Sequence, residues 1–242
     1  MNPALSWRDL LRPLDRHDEL DEWMDDPDCD LATLNRTYAQ FGIVNDLLSG
    51  WHHAWRTVLA PAAREATRER GHATLLDIGS GAGDLARRFA AWAAEDQIPL
   101  TVTGIDPDPR AIAFAKAKAI PPNVHYQTTT AEELESQDAS FDLVVSNHVL
   151  HHLSADVVRG FLETSSQLTR KTMLHGDLHR SRLAIPAFWA FSLPFRGSYL
   201  REDGFRSILR AWTPDELKPL LPPDTTARRA GRFRLWVLRT EV

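Results

Sequence analysis

Apolar and polar positions follow two rhythms in this chain, and the changes between them mark its elements. Short, mostly apolar runs at Thr74–Ile78, Leu100–Asp106, Val124–Thr128, Phe141–Ser146 and Thr172–Leu178 predict strands. Between them apolar residues recur every three or four positions, predicting helices from about Asp84 to Ala94, Arg110 to Ala119 and Asp156 to Thr169. Pro121-Pro122 closes the second of these. Phe141–Ser146 is almost continuously apolar, as expected of a strand buried on both faces. Strands and helices alternating in this way predict a doubly wound α/β sheet.

The two ends read differently. Before residue 72, Trp23, Leu31, Leu34, Tyr38, Phe41, Val44, Leu47, Leu48, Trp51 and Trp55 recur at helical spacing, with a break expected near Ser49-Gly50. Residues 1–72 therefore predict a helical cap over the carboxyl edge of the sheet. The acids crowded between Asp15 and Asp30 predict a solvated helix face and its caps. Residues 179–212 interrupt the strand rhythm, and Leu183–Phe195 is their most apolar and aromatic part. That insert could wall a greasy pocket, fill the core or touch a membrane surface. Thr213-Pro214-Asp215-Glu216 has the form of a capping box with proline in the first turn, predicting a helix that ends near Leu220. Arg228, Arg229, Arg232 and Arg234 precede Leu235–Leu238, consistent with two closing strands whose charges guard a sheet edge.

With 242 residues, 43% of them hydrophobic, the chain suits one core-forming domain plus an appendage. A formal charge of −5 argues against a general nucleic-acid binder. The single cysteine, Cys29, excludes an intramolecular disulfide and makes a reducing cytoplasm the expected compartment. No run approaches the ~20 apolar residues of a membrane span, and Met1–Asp9 lacks the apolar core of a signal peptide. The expected partner is a small molecule, with no nucleic acid and no integral membrane segment; pairing with a second copy to give a homodimer is left open.

Candidate chemistry concentrates in two stretches. Gly79, Gly81 and Gly83 follow a G-x-G-x-G spacing between the first strand and its helix. Glycine tolerates the unusual φ/ψ of such a turn and lets a ligand approach the backbone. A dinucleotide site would carry G-x-G-x-x-G with a diphosphate on the helix N-terminus. Here Asp84 holds the last position and Asp77 precedes the loop. Two carboxylates repel a diphosphate and attract a cation. S-adenosylmethionine, with a sulfonium and an ammonium against one carboxylate, fits that field. Asp106 lies 23 positions after Gly83, near the ~20 expected of an acid that accepts from the ribose hydroxyls. It could also cap the helix that follows Pro107.

Leu76-Asp77-Ile78-Gly79-Ser80-Gly81-Ala82-Gly83 resembles the glycine-rich motif of class I S-adenosylmethionine-dependent methyltransferases. Ser140 to Leu153, reading SFDLVVSNHVLHHL, resembles the fourth strand and following turn of ubiquinone- and menaquinone-type methyltransferases and their relatives. The resemblance covers most of residues 73–153. It implies a Rossmann-like, seven-stranded mixed α/β sheet in residues 73–242. The implied cofactor is S-adenosylmethionine, and the implied reaction is methyl transfer to a small apolar acceptor, aromatic or polyketide-like, at oxygen or an activated carbon. It further implies cofactor contacts from Asp77, Gly79, Ser80, Gly81, Gly83, Asp106 and Pro107. Thr130, Ala131 and Glu132 would lie by the adenine, with Thr130 standing where the family commonly has an acid. Ser146 and Asn147 would lie beside the methionyl part, and the 179–212 insert would contribute to acceptor choice. Competing readings are an NAD-dependent oxidoreductase of Rossmann type and a non-catalytic S-adenosylmethionine-binding scaffold.

His148, His151 and His152 cluster at the expected mouth of the sheet, where an imidazole can take a proton near neutral pH. His151 matches the position of a catalytic histidine in some carbon-methylating polyketide domains and is the first candidate base, followed by His148 and His152. Each could instead cap or pack the next helix. The three could offer ligands from one helical turn. No second Cys or His cluster lies at recognisable spacing, and Ser146-Asn147 is only a fragment of the acid–acid–Asn set of magnesium-dependent catechol-type enzymes, so no metal is expected. His175 and Asp177 predict a structural pair or pocket lining, and Tyr199 and Arg201 are further candidates for acceptor contact.

Overall fold

The computed structural model describes residues 14–48 and 50–240. Met1–Asp9, Ser49 and the side chains of Leu47 and Leu48, all used above, lie outside what is described. Seven strands make one sheet: β1 (Ala73–Ile78), β2 (Leu100–Asp106), β3 (Val124–Thr128), β4 (Phe141–Asn147), β5 (Thr169–Leu178), β6 (Thr225–Arg229) and β7 (Arg234–Thr240). Their spatial order is β3-β2-β1-β4-β5-β7-β6. The first five strands pair in parallel, and β7 and β6 return antiparallel at the edge. This is the mixed seven-stranded sheet that the resemblance implied.

The helices, in chain order, are α1 (Leu31–Leu48), α2 (Trp51–Ala54), α3 (Ala60–Arg70), α4 (Asp84–Glu95), α5 (Pro109–Lys116), α6 (Ala131–Ser136), α7 (Ala155–Gln167), α8 (Ala184–Ser192), α9 (Leu200–Arg210) and α10 (Pro214–Leu217). One face of the sheet packs Ala60, Ala63 and Ala66 of α3, with Ala86, Phe89 and Ala93 of α4, on Leu75, Val102 and Val145. Alanine brings a helix close to strands already rich in branched side chains. The other face packs Leu134, Val158, Phe161 and Leu162 against Leu76, Val144, Met173 and Val237.

The N-terminal 72 residues divide in two. Gly50, in the left-handed region at φ +70°, precedes α2. From there Trp51 and Trp55 are buried against Phe89, and Trp55 Nε1 donates to Asp96 Oδ2 at 2.9 Å. Residues 51–70 are thus a layer of the sheet's own core rather than a cap. Among the described residues of this part, residues 14–25 and α1 cross the carboxyl edge, where Leu34 and Tyr38 pack on Ala82 and Ala111. At the other end the Thr213–Glu216 capping box forms as expected, Thr213 N donating to Glu216 Oε2 at 2.8 Å. A 3-10 turn then runs to Leu220. Among the described residues no helix is long and apolar enough to cross a membrane.

The β1–α4 loop needs its glycines for packing as much as for approach. Gly83 has φ +70°, and a Cβ there would lie 2.4 Å from the Tyr126 hydroxyl, which itself donates to Gly83 O at 2.8 Å. A Cβ on Gly79 would lie 2.5 Å from Val149 Cγ2. Gly83→Ala is therefore expected to destabilise the chain by more than about 1 kcal/mol. In thermal denaturation followed by circular dichroism, each kcal/mol lost lowers the midpoint by about 2–4 °C in a domain of this size.

Candidate functional site

A cavity of about 370 Å³ opens at the carboxyl ends of β1, β2 and β4. Strand order reverses between β2-β1 and β4-β5, and ligands of open α/β sheets bind at such a switch point. The floor is Asp77 from β1, the Gly79–Ala82 turn, Asp84 at the start of α4, and Asp106-Pro107-Asp108 after β2. The roof is Glu22, Met24 and Asp25 from the N-terminal segment, with Tyr38, Phe41 and Asn45 from α1. His148, His151 and His152 form the third wall.

Three carboxylates dominate the floor. Burial pushes the Asp77 carboxyl well above its usual pKa, and the charges of Asp84 and Asp106 add to it. Asp77 Oδ2 is buried and has no hydrogen-bond partner among the described residues. Burial likewise raises Asp84, opposed by Asn45 Nδ2, which donates to Asp84 Oδ2 at 3.0 Å. Asp106 is raised by burial although Gly81 N and Asp108 N each donate to it at 2.9 Å. No lysine or arginine lines the cavity among the described residues. Its field therefore favours a cation and opposes a diphosphate.

Asp77, Gly79, Ser80, Gly81, Asp106, Pro107 and Asn147 come together on this wall, with Gly83 one turn behind it. Four expected contacts do not join them. Ser146 faces the α7 layer, its Oγ 2.7 Å from His175 Nδ1. Successive residues of a strand point to opposite faces, so Asn147 reaches the cavity and Ser146 cannot. Thr130 is consumed as the N-cap of α6 in a capping box with Glu133. Ala131 is buried in the core and Glu132 is exposed, and neither lines the cavity. Tyr199 and Arg201 also stand outside it. Tyr199 Oη accepts from Asp30 N at 3.0 Å, and Arg201 Nη2 donates to Ser192 O at 3.2 Å.

His151 is buried between two carboxylates. Its Nδ1 lies 2.7 Å from Asp177 Oδ1 and its Nε2 3.3 Å from Glu22 Oε1. Burial pulls its pKa down, but Asp177 and Glu22 outweigh burial and push it up to about 10. Glu22 moves the opposite way: burial is outweighed by hydrogen bonding to His151 and by the neighbouring imidazoles, taking it down to about 2. His151 is therefore a cation at neutral pH and cannot serve as the base assigned to it above. His148, at φ +61°, accepts at Nε2 from Arg234 Nη1 at 2.8 Å. Burial and that guanidinium push its pKa down to about 3. His152 Nδ1 is 3.0 Å from Asp25 Oδ2.

Several partners here were not foreseen. Asp177 pairs with His151 rather than His175. Arg234, expected as an edge charge, is buried and donates through Nη2 to Asn147 Oδ1 at 2.6 Å. Asn147 Nδ2 in turn donates to Asn45 Oδ1 at 3.1 Å, so a polar chain runs from Arg234 through Asn147 and Asn45 to Asp84. Glu22 belongs to the acid-rich stretch read as solvated, yet it is 4% exposed. Its neighbours Leu20, Trp23 and Met24 are the signal in the sequence that a freely solvated face would lack. Arginines fasten this segment to the rest. Arg210 donates to Leu20 O, His151 O and His152 O at 2.7–3.1 Å, and Arg16 donates to Leu153 O and Arg210 O at 2.7 Å. Asp203 accepts from Trp23 N and Met24 N at 2.7 and 3.1 Å.

Residues 75–172 match the family model described as a methyltransferase domain. A demethylmenaquinone methyltransferase of Chlorobaculum parvum is 32% identical over 125 residues, 51% of this chain and 48% of that protein. A ubiquinone biosynthesis O-methyltransferase of Rhizobium leguminosarum is 39% identical over 98 residues, 40% of this chain and 36% of that protein. The chain thus spans about half or less of these curated relatives. The plantazolicin methyltransferase BpumL, solved with S-adenosylhomocysteine, shares the fold at TM-score 0.62 and 14% identity, over 91% of this chain and 93% of that one.

The Glu22–His151 pair gives a stability profile with two limbs. The raised His151 pKa contributes stability that is complete below pH 6.5 and lost as pH rises through about 10. The lowered Glu22 pKa contributes stability present above pH 4.5 and lost as pH falls through about 2. Thermal melts in EDTA, which keeps adventitious cations from replacing the proton, are expected to show an alkaline decline that shrinks in Glu22→Gln.

Proposed function

We propose that this chain, built on a class I S-adenosylmethionine-dependent methyltransferase domain at residues 75–172, transfers a methyl group to a small acceptor held beneath residues 22–25 and α1. The observation that carries the reading is the unpartnered, buried Asp77 Oδ2, grouped with Asp84 and Asp106 in a cavity that no lysine or arginine lines among the described residues. A buried carboxylate is costly until a cation or donor meets it. When bound, S-adenosylmethionine supplies an electrophilic methyl on a sulfonium that leaves as a neutral thioether. Asp77 and Asp84 would face its cationic end. Asp106, already oriented by Gly81 N and Asp108 N, keeps lone pairs for the ribose hydroxyls. The same carboxylates disfavour the diphosphate of a nicotinamide cofactor, and with it the oxidoreductase reading.

The acceptor side is walled by Met24, Tyr38, Phe41 and Leu153, with Ser207 and the histidine edges as its polar part. That lining suits an aromatic or polyketide-like molecule bearing oxygen, methylated at that oxygen or at a carbon it activates. The relatives named for menaquinone and ubiquinone biosynthesis support such a class. His151 is held as a cation and Arg234 engages His148 Nε2, so neither of these imidazoles is a free base, while Asp25 orients His152 through Nδ1. The chain's contribution is to hold the acceptor in line with the sulfonium in the cavity, alignment being the largest demand of the displacement.

Titration calorimetry with S-adenosylhomocysteine is expected to give one site per chain, while NADH gives no heat. Asp106→Ala should weaken that binding by about 10- to 100-fold, as for hydrogen bonds to a charged group worth about 1.5–3 kcal/mol. No heat at millimolar S-adenosylhomocysteine, with the chain folded, would remove the reading.

A further inference from the structure

Methyl transfer to a hydroxyl or enolisable acceptor also needs a way to stabilise the acceptor's anion, and the imidazoles as described do not provide it. The roof supplies a different group. We propose that Glu22, His151 Nε2 and His152 Nε2 bind one divalent transition-metal ion at the acceptor end of the cavity. The function of such an ion rests on the methyl-transfer reading above; its binding does not.

The spacing suits an ion of that kind. Glu22 Oε1 is 3.3 Å from His151 Nε2, Glu22 Oε2 is 4.0 Å from His152 Nε2, and the three groups' ligand atoms lie within 4.8 Å of one another. Ligands held at about 2.0–2.2 Å by a tetrahedral ion sit about 3.3–3.5 Å apart, so only the His152 ring has to close in. The rings are also oriented as metal-bound rings are. His151 Nδ1 is 2.7 Å from Asp177 Oδ1, and His152 Nδ1 is 3.0 Å from Asp25 Oδ2, so each Nε2 is the nitrogen left to face an ion, which would replace the proton that His151 Nε2 shares with Glu22. A carboxylate or carbonyl on the far nitrogen fixes the tautomer of a ligating histidine. Ser207 Oγ donates to Glu22 Oε1 at 2.7 Å and sets the carboxylate in turn.

Charge and donor type narrow the occupant. Glu22, Asp25 and Asp177 bracket the two rings, and a dication offsets two of those three charges with both rings neutral, the form that ligates. The nearest cations face elsewhere: Arg210 is spent on the backbone oxygens of His151 and His152, and Arg234 on His148 and Asn147. Two imidazoles with one carboxylate suit zinc or ferrous iron, whereas magnesium and calcium want oxygen alone. In the alternative grouping of His148, His151 and Asp177 the His148 nitrogen beside Asp177 is Nδ1; with Arg234 Nη1 donating to Nε2 at 2.8 Å, Nδ1 carries the proton and has no lone pair for an ion. All three proposed ligands line the cavity, so an ion held by them would keep an open position toward it. Such an ion would act as a Lewis acid there, lowering the pKa of an acceptor hydroxyl so that its proton could pass to solvent water. Spacing along the chain predicted no metal because the third ligand arrives from the N-terminal segment.

The test uses the full chain, stripped with chelator and titrated with Co²⁺ and then Zn²⁺. One Co²⁺ per chain should bind with visible d–d bands, and Zn²⁺ should displace it while Mg²⁺ does not. Glu22→Gln and His152→Ala should each weaken binding by about 100-fold or more, and Asp25→Asn by about 10- to 100-fold. His152 is partly exposed at the cavity rim, so its variant keeps the test decisive if the Glu22 variant does not fold. Stoichiometric binding lost in His152→Ala supports the site. No bound Zn²⁺ at about 100 μM, or binding unchanged in His152→Ala, overturns it. S-adenosylhomocysteine calorimetry on the same stripped protein reads the donor half separately.

Discussion

Desolvated carboxylate is the constraint from which the site follows. Asp77 is the penultimate residue of β1 and Asp106 the last of β2, the first helix after the glycine turn begins with Asp84, and all three are drawn out of water in one hollow. Asn45 and the Gly81 and Asp108 amides donate to Asp84 and Asp106, but no positive side chain among the described lining residues meets the three charges. A fold that tolerates such a charge does so at a functional position, because apolar packing at the same place would be more stable. The glycine turn adds backbone N–H groups but no positive side chain, and this separates the hollow from a diphosphate cradle of the same topology.

Above that floor the chain answers with the opposite arrangement. Around His151 two carboxylates meet a ring that can carry charge, and every partner of the set is hydrogen-bonded. The two halves of one cavity thus differ in kind: the floor leaves its charge uncompensated, and the wall beside the roof compensates its own. Small-molecule sites commonly combine apolar walls with a few convergent polar groups, and here those groups are sorted by height above the sheet.

Most of the sheet was legible because parallel strands are buried on both faces and must be apolar throughout. The helix at Pro214 was legible because its capping box is local. What escaped reading depends on contacts between distant segments. Glu22 is one acid among many in its stretch, and only the folded chain distinguishes the buried one. The partner of Asp177 turned out to be on the turn after β4 rather than two residues away on its own strand. Ser146 and Asn147 are adjacent in the sequence, and pleat parity decides which reaches the cavity. Arg234 reads as an edge charge until the pairing of β7 with β5 brings it beside Asn147.

The arginines that fasten the roof act mainly on main-chain oxygens: Arg210 on Leu20, Arg16 on Leu153 and Arg210, and Arg180 on Leu14 and Ala211. A carbonyl is the same whatever side chain its residue bears. Such anchoring holds residues 14–25 largely through the main chain, whereas Glu22, Tyr38 and Asn45 are tied to the rest by their side chains. Under the methyl-transfer reading, changes at roof positions such as Met24, whose main chain rather than side chain is the anchor, would retune what the cavity accepts and leave the carboxylates of the floor as they are.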